Sequence, residues 1–123
     1  MATAGNGLSG LRVLVVEDEF YLADDIAQAL TTAGARVVGP VGSFEEAAAA
    51  VAKGGIDRAV LDMNLKGEMA FPIADRLEEA GIPFVITTGY SSASLPDRLR
   101  DKPRLEKPFD PEALTQKLLP GRE

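Results

Sequence analysis

The sequence predicts an α/β fold in which a five-stranded parallel sheet carries helices on both faces. Short runs of Val, Ile and Leu alternate with longer segments whose apolar residues recur every three or four positions. The alternation of strand and helix repeats five times, as expected for parallel strands joined by right-handed helical crossovers. The apolar runs are nearly continuous, which is typical of strands that are buried on both faces.

The first half of the chain supplies two strands and two helices, and each helix has a recognisable start or end. The first helix is followed by Gly34, a residue typical of helix C-termini. The second helix begins at a capping box formed by Ser43 and Glu46 and ends before Gly54. The predicted elements are strand 12–16, helix 20–33, strand 36–39 and helix 44–52.

The second half repeats the pattern with weaker signals. Pro72 suits the first turn of a helix, and Asp110 and Pro111 start the last one. Residues 91–101 are polar and contain Pro96, so any helix there is expected to be short or broken. The predicted elements are strand 57–61, loop 63–68, helix 72–80, strand 83–87, strand 104–106 and helix 111–118.

Length and composition limit the classes of protein to consider. The 123 residues fit one domain, and we expect a flexible tail over 1–10, a folded domain over 11–120 and no output domain. The net charge of −6, with no basic run, argues against direct nucleic-acid binding. The start does not resemble a signal peptide and no run of about 20 apolar residues occurs, so we expect a cytoplasmic protein that does not bind membranes.

Four of the five predicted strands are followed by charged or hydroxyl side chains. Glu17 and Asp18 follow the first strand, Asp62 the third, Thr88 the fourth and Lys107 the fifth. The carboxyl ends of parallel strands share one edge of a sheet, where ligands bind. Each of these residues alone has an ordinary explanation as a turn, cap or solvated residue, but their joint occurrence on one edge indicates a functional site.

These residue types suit the transfer of a phosphoryl group to a carboxylate. Three carboxylates attract a hard dication such as Mg²⁺, and the backbone carbonyl of Asn64 could join them. Asp62 is then the candidate nucleophile, because carboxylates can form an aspartyl phosphate. Lys107 and the Thr88 hydroxyl would stabilise the charge on the transferring oxygens.

With these motifs in view, the sequence resembles the receiver domains of bacterial two-component response regulators, the CheY-like family. The resemblance covers approximately residues 11–119. It is carried by four motifs in the family's order, namely Val15-Val16-Glu17-Asp18-Glu19, Leu61-Asp62-Met63-Asn64-Leu65, Thr87-Thr88-Gly89-Tyr90 and Lys107-Pro108-Phe109.

The resemblance implies a function and a role for each matched residue. A histidine kinase or a histidine phosphotransfer protein would donate the phosphoryl group, and the chain would catalyse only its own phosphorylation and dephosphorylation. A downstream partner protein would bind the face of the fourth helix, fifth strand and fifth helix, and the chain would be a monomer or weak dimer. The implied roles are phosphoacceptor Asp62, Mg²⁺ ligands Glu17, Asp18, Asp62 and the Asn64 carbonyl, phosphoryl-contacting Thr88 and Lys107, and a cis Lys107–Pro108 bond.

Some positions depart from the family pattern. Arg104 stands where members usually have Tyr or Phe, so Tyr90, two residues past Thr88, is the candidate switch aromatic. Lys66 stands where Pro is often found. These features are similar to a subgroup of single-domain receivers whose fourth strand ends in a Phe-Ala-Thr-Gly-like motif, some of which act in general stress signalling.

Four alternatives remain open. A haloacid-dehalogenase-like phosphatase also uses an Asp nucleophile and Mg²⁺, but it needs an acid where Asn64 stands. A flavodoxin-like nucleotide binder needs a phosphate-binding loop after the first strand, where three consecutive acids would repel phosphate. A receiver could also act unphosphorylated as an interaction module, or could serve as a phosphoryl sink or shuttle.

Overall fold

The computed structural model describes residues 7–89 and 95–119 and confirms the predicted fold class. Five parallel strands form one sheet in the order β2-β1-β3-β6-β7, and β4 and β5 form a separate two-stranded sheet. In chain order the elements are β1 (Arg12–Val16), α1 (Phe20–Thr32), β2 (Arg36–Val41), α2 (Phe44–Lys53), β3 (Arg58–Asp62), β4 (Asn64–Leu65), β5 (Glu68–Met69), α3 (Phe71–Glu79), β6 (Phe84–Thr88), a 3₁₀ turn (Asp97–Leu99), β7 (Arg104–Glu106) and α4 (Pro111–Leu118).

Two hydrophobic clusters cover the two faces of the large sheet. Val15 belongs to a cluster with Ile26 of α1 and Leu114 of α4, whereas its neighbour Leu14 belongs to a cluster with Ile73 of α3. Successive residues of a strand point to opposite faces, so a strand that is covered on both sides needs apolar residues at every position. Within the described part of the chain, none of the helices is long and apolar enough to cross a bilayer.

Two helices, α2 and α4, begin where their capping residues predicted. Ser43 Oγ accepts a hydrogen bond from the Glu46 N–H at 3.2 Å. The Glu46 carboxylate accepts from the Gly42 N–H at 3.2 Å, one residue before the usual capping-box donor. Asp110 accepts from the Glu112 N–H at 3.0 Å and caps α4. All the predicted strands and helices agree with the structure to within two residues.

The segment predicted as a loop over 63–68 contains a short hairpin of β4 and β5, so that prediction was wrong in part. The two strands are joined by Lys66 and Gly67, which have φ angles of 52° and 89°. Positive φ at both turn residues matches the twist of a tight hairpin, and glycine adopts it at little cost. The Gly67 N–H donates to Asn64 Oδ1 at 2.7 Å. Strands of two residues are too short to produce a periodic pattern in sequence.

The predicted tail over 1–10 is also too long. Leu8 is 0% exposed and packs in the cluster between α1 and α4. Its N–H donates to the Ala33 carbonyl at 3.0 Å, and the Leu11 N–H donates to the Leu8 carbonyl at 3.0 Å. The Leu8 side chain therefore anchors residues 7–10, although their composition suggests a loose tail. Residues 1–6 lie outside the described part of the chain.

We expect Leu8→Ala to lower the free energy of unfolding by about 2 kcal/mol. This is the low end of the range for buried Leu→Ala changes, because Leu8 lies outside the strands and helices and its segment can detach before the whole domain unfolds. Urea unfolding followed by circular dichroism measures the effect. The exposed neighbour provides the control, since Ser9→Ala should shift the value by less than about 0.5 kcal/mol. Equal effects of the two substitutions would contradict a role of Leu8 in the core.

The segment that precedes β7 is fastened to α3 by ion pairs. Arg98 binds Asp75 through two hydrogen bonds, from Nε at 3.0 Å and from Nη2 at 3.1 Å. Lys102 pairs with Glu78, one turn further along the same helix. The only helical structure described in this region is the 3₁₀ turn, in agreement with the expectation of a short or broken helix.

Candidate functional site at the carboxyl edge of the sheet

Three carboxylates converge where β1 and β3 end. These strands pair in parallel with Val16 opposite Leu61, so the residues that follow, Glu17 and Asp62, are neighbours. One carboxylate oxygen from each of Glu17, Asp18 and Asp62 lies within 4.8 Å of the others. The structure thus brings together the three acids that the sequence placed at the ends of separate strands.

Lys107 supplies the cation that these acids need. Its Nζ lies 3.2 Å from Glu17 Oε1 and 3.2 Å from Asp62 Oδ2. The side chains of Glu17 and Asp62 are only 1% and 3% exposed, whereas that of Lys107 is 24% exposed. Two buried like charges repel strongly, so the ammonium group between them stabilises the arrangement.

Backbone N–H groups bind one oxygen of each carboxylate. Two of these donors lie two residues past their acceptor, as in turns that follow a strand. The third comes from the β4–β5 hairpin and fastens that hairpin to Asp18, which nothing in the sequence indicated. The bonds run from Asn64 N–H to Asp62 Oδ1 (3.1 Å), from Glu19 N–H to Glu17 Oε2 (3.1 Å) and from Lys66 N–H to Asp18 Oδ2 (2.9 Å).

One buried oxygen of the cluster, Glu17 Oε1, accepts no hydrogen bond from the described residues. Lys107 Nζ lies close to it but directs its hydrogen bond to Oε2, at 3.3 Å. A buried oxygen without a donor is unfavourable, and a hard dication with oxygen ligands would satisfy it. The donor set of Glu17, Asp18 and Asp62 therefore fits Mg²⁺.

Burial also changes the proton affinity of these groups. Burial, together with the negative charge of Asp62, raises the pKa of Glu17 from 4.5 to about 7. Burial likewise raises the pKa of Asp62. Burial lowers the pKa of Lys107, but the charges of Asp62 and Glu17 outweigh it, so the net change is a rise. Lys107 is thus charged at neutral pH, whereas Glu17 is only partly ionised unless a further cation binds.

We expect the free energy of unfolding of the metal-free protein to fall as the pH rises from 4.5 to about 7. In this range the folded state holds the Glu17 proton more tightly than the unfolded state does, so each step up in pH favours unfolding. The loss is on the order of a few kcal/mol, since one pKa unit corresponds to about 1.4 kcal/mol. Urea unfolding with a chelator at about pH 5 and about pH 8 measures it.

A pair of variants isolates the Glu17 contribution to this pH dependence. Glu17→Gln should flatten most of the decline, whereas Glu79→Gln, on the exposed surface of α3, should preserve it. The same decline in both variants would assign the pH dependence to other groups.

The remaining predicted residues lie around this cluster. Thr88 is buried at the end of β6, and its carbonyl accepts from the Lys107 N–H at 2.8 Å. The Lys107–Pro108 bond is cis, and so is Gly39–Pro40, which we did not expect. Tyr90, the candidate switch aromatic, lies outside the described residues.

Arg104 occupies the position where the resemblance implies an aromatic side chain. It lies in β7, and its Nη1 donates to the Arg100 carbonyl at 2.6 Å. The side chain is therefore bound to the segment between the 3₁₀ turn and β7, and a rotating aromatic has no counterpart at this position.

Exposed aromatic side chains stand beside the cluster. Phe20 and Tyr21, at the start of α1, are 74% and 78% exposed, and their rings meet edge to face with centroids 5.4 Å apart. Tyr21 also lines a cavity of about 420 Å³ that reaches Lys107. An apolar surface thus lies next to the charged site. The other residues that line this cavity are Glu19, Leu22, Asp25, Pro108 and Phe109.

The chain matches a known protein family and is similar to solved structures. The sequence model of one protein family, the response regulator receiver domain, matches residues 13–119. SdrG from Sphingomonas melonis Fr1 is 40% identical, with a TM-score of 0.78 over 91% of this chain and 94% of that chain. The BeF₃-activated conformation of SdrG from Pseudomonas melonis Fr1 has a TM-score of 0.73 at 40% identity, over 87% of this chain and 92% of that chain.

Curated relatives are longer proteins. The transcriptional regulatory protein TcrA of Mycobacterium tuberculosis (strain ATCC 25618 / H37Rv) is 33% identical over 116 residues, which is 90% of this chain and 46% of TcrA. PdtaR of the same strain is 30% identical over 102 residues, which is 80% of this chain and 50% of PdtaR. The chain therefore spans about half the length of the curated relatives it matches.

Proposed function

This chain belongs to the response regulator receiver domain family of two-component systems, and we propose from that premise that Asp62 accepts a phosphoryl group and that its phosphorylation changes the affinity for a partner protein. Membership of this family excludes two of the alternatives considered above, the dehalogenase-like phosphatase and the flavodoxin-like nucleotide binder. The observation that carries the proposal is the placement of buried Asp62 beside a cation and two further acids at one sheet edge.

Asp62 is the best placed of the three acids for nucleophilic attack. It ends a central strand, and its two oxygens are held by the Asn64 N–H and by Lys107. Attack on a phosphohistidine would break the P–N bond, form a P–O bond to Asp62 and release the imidazole with its electron pair. Hydrolysis by water would return the carboxylate and inorganic phosphate.

The neighbouring residues would stabilise charge on the transferred group. Mg²⁺, held by Glu17, Asp18, Asp62 and the Asn64 carbonyl, would supply positive charge beside the phosphoryl oxygens. The Lys107 ammonium would donate to one of these oxygens, and the Thr88 hydroxyl would donate to another. A backbone hydrogen bond already joins Lys107 to Thr88, so a shift of either residue would be passed to the other.

The partners we propose follow from the same site. The phosphoryl donor would be a histidine kinase or a histidine phosphotransfer protein, and Phe20 and Tyr21 offer apolar contacts beside the acceptor. Output would pass to a partner protein through the surface formed by residues 95–106 and α4, with the chain as a monomer or weak dimer in the cytoplasm. The BeF₃-activated form of SdrG supports this scheme by analogy, because BeF₃⁻ is similar to a phosphoryl group in charge and shape.

Acetyl phosphate provides the direct test of phosphorylation. With Mg²⁺, intact mass spectrometry should detect one added phosphoryl group that hydroxylamine removes, as expected for an acyl phosphate. A chelator should suppress the modification. An unmodified protein after prolonged incubation would instead favour the alternative of an interaction module that works without phosphorylation.

We expect Asp18→Asn to weaken Mg²⁺ binding by about tenfold or more, because the site loses one of its three negative ligands. The amide keeps an oxygen that can still accept from the Lys66 N–H, so the hairpin should stay in place. Isothermal titration with Mg²⁺ measures the change. Asp24→Asn, on the exposed surface of α1, is the matched control, and similar affinities for the two variants would place the ion elsewhere.

A further inference from the structure

The Thr87 hydroxyl is buried without a hydrogen-bond partner among the described residues. The residue is 0% exposed and lies in β6, one position before Thr88. A buried hydroxyl without a partner typically costs about 1–3 kcal/mol, and such groups in folded proteins call for an explanation. One explanation is a second state of the molecule in which the hydroxyl finds an acceptor.

The sheet register places Thr87 beside the acceptor. Thr87 pairs with Asp62 on one side and with Leu105 on the other. Val85 and Val60, each two residues earlier in its strand, belong to the same hydrophobic cluster under α1 and α4. Because side chains alternate along a strand, Thr87 and Asp62 share this face as neighbours, with strands about 4.8 Å apart. By the same alternation, Thr88 faces the other side of β6.

Lys107 contacts Asp62 from the far side of the strand that carries Thr87. It follows β7, whereas its ammonium group contacts Asp62 on β3, and β6 lies between these two strands. The side chain of Lys107 therefore reaches across the carboxyl end of β6. Both Asp62 oxygens accept hydrogen bonds, from Lys107 and from the Asn64 N–H, and neither accepts one from the Thr87 hydroxyl.

We propose that Thr87 is a positioning residue whose hydroxyl donates a hydrogen bond to the Asp62 side chain once that side chain carries a phosphoryl group. The phosphoryl group would bring three new oxygens to this row of side chains, where the Thr87 hydroxyl has no hydrogen-bond partner among the described residues. This inference rests on the proposed phosphorylation of Asp62 and adds to it a second hydroxyl, which approaches from the α1 and α4 side of the sheet.

Two substitutions separate the hydroxyl from the shape of the side chain. Thr87→Val keeps the volume and removes the hydroxyl, whereas Thr87→Ser keeps the hydroxyl. In the unmodified protein, Thr87→Val should match or exceed the wild type in urea resistance, because no hydrogen bond is lost. In the presence of Mg²⁺, Thr87→Val should bind BeF₃⁻ about tenfold more weakly than the wild type does. Its acyl phosphate should also hydrolyse about tenfold faster. Thr87→Ser should stay near the wild type in both measurements.

The outcomes distinguish this inference from the function on which it rests. A wild type that neither binds BeF₃⁻ nor accepts phosphate would overturn the proposed function. A wild type that does both, with Thr87→Val unchanged in affinity and lifetime, would overturn the role of Thr87 alone. If Thr87→Val folds poorly, Thr87→Ala is the second variant without a hydroxyl, and Thr31→Val, on the exposed surface of α1, is the control.

Discussion

Asp62→Asn is expected to reduce phosphorylation by acetyl phosphate to the background level while the protein remains folded. An amide has no negative oxygen with which to form an acyl phosphate. Its oxygen can still accept from the Asn64 N–H, and the substitution removes a negative charge that is buried beside Glu17. We therefore expect a stability equal to or above that of the wild type, measured by urea unfolding alongside labelling with acetyl [³²P]phosphate.

The control for this experiment is an aspartate on the surface. Asp101 is exposed and lies in the segment that precedes β7, so Asp101→Asn should be labelled as the wild type is. Equal labelling of Asp62→Asn and Asp101→Asn would remove Asp62 from the role of acceptor. Loss of labelling together with loss of the folded circular dichroism spectrum would instead show that Asp62 is needed for folding.

Lys107→Met should cause the largest loss of stability at neutral pH in the absence of metal, about 2–3 kcal/mol. The substitution keeps the length of the side chain but removes the cation that lies 3.2 Å from both Glu17 and Asp62. Removing one partner of a fully buried ion pair typically costs about 3–5 kcal/mol, and the partial exposure of Lys107 reduces this value.

Two conditions should restore the stability of Lys107→Met. At about pH 5 Glu17 takes up a proton, because burial raises its pKa to about 7, so the difference from the wild type should shrink. Mg²⁺ should also restore it by supplying charge to the same oxygens. Lys117→Met, on the exposed end of α4, should have little effect at either pH. A deficit of Lys107→Met that is independent of both pH and Mg²⁺ would indicate lost packing rather than lost charge.

The fold could be predicted from sequence because its signals are local. The apolar runs that form β1 and β3 are continuous, and residues such as Ser43 and Asp110 accept hydrogen bonds from N–H groups two or three positions away. The position of the acids could be predicted for a related reason. Once strands are known to be parallel, their carboxyl ends must meet at one edge, whatever the sequence between them.

The parts that sequence did not predict depend on contacts between distant segments. Leu8 is one apolar residue among small and polar ones, and only the space between α1 and α4 makes it a core residue. The bond from Lys66 to Asp18 joins a hairpin to a strand end 48 positions away. Thr87 lies within one of the motifs, but the resemblance implies no role for it. Only the structure shows that its hydroxyl is buried without a partner among the described residues.

The ion pairs that fasten residues 95–103 to α3 have a consequence for how the domain responds to its surroundings. Asp75 and Arg98 are both about half exposed, and Glu78 and Lys102 lie near the surface as well. Salt screens attractions between exposed charges, and the Debye length falls from about 8 Å at physiological salt to about 3 Å at 1 M, which is comparable with the length of these contacts. We therefore expect the attachment of residues 95–103 to α3 to weaken as the salt concentration rises.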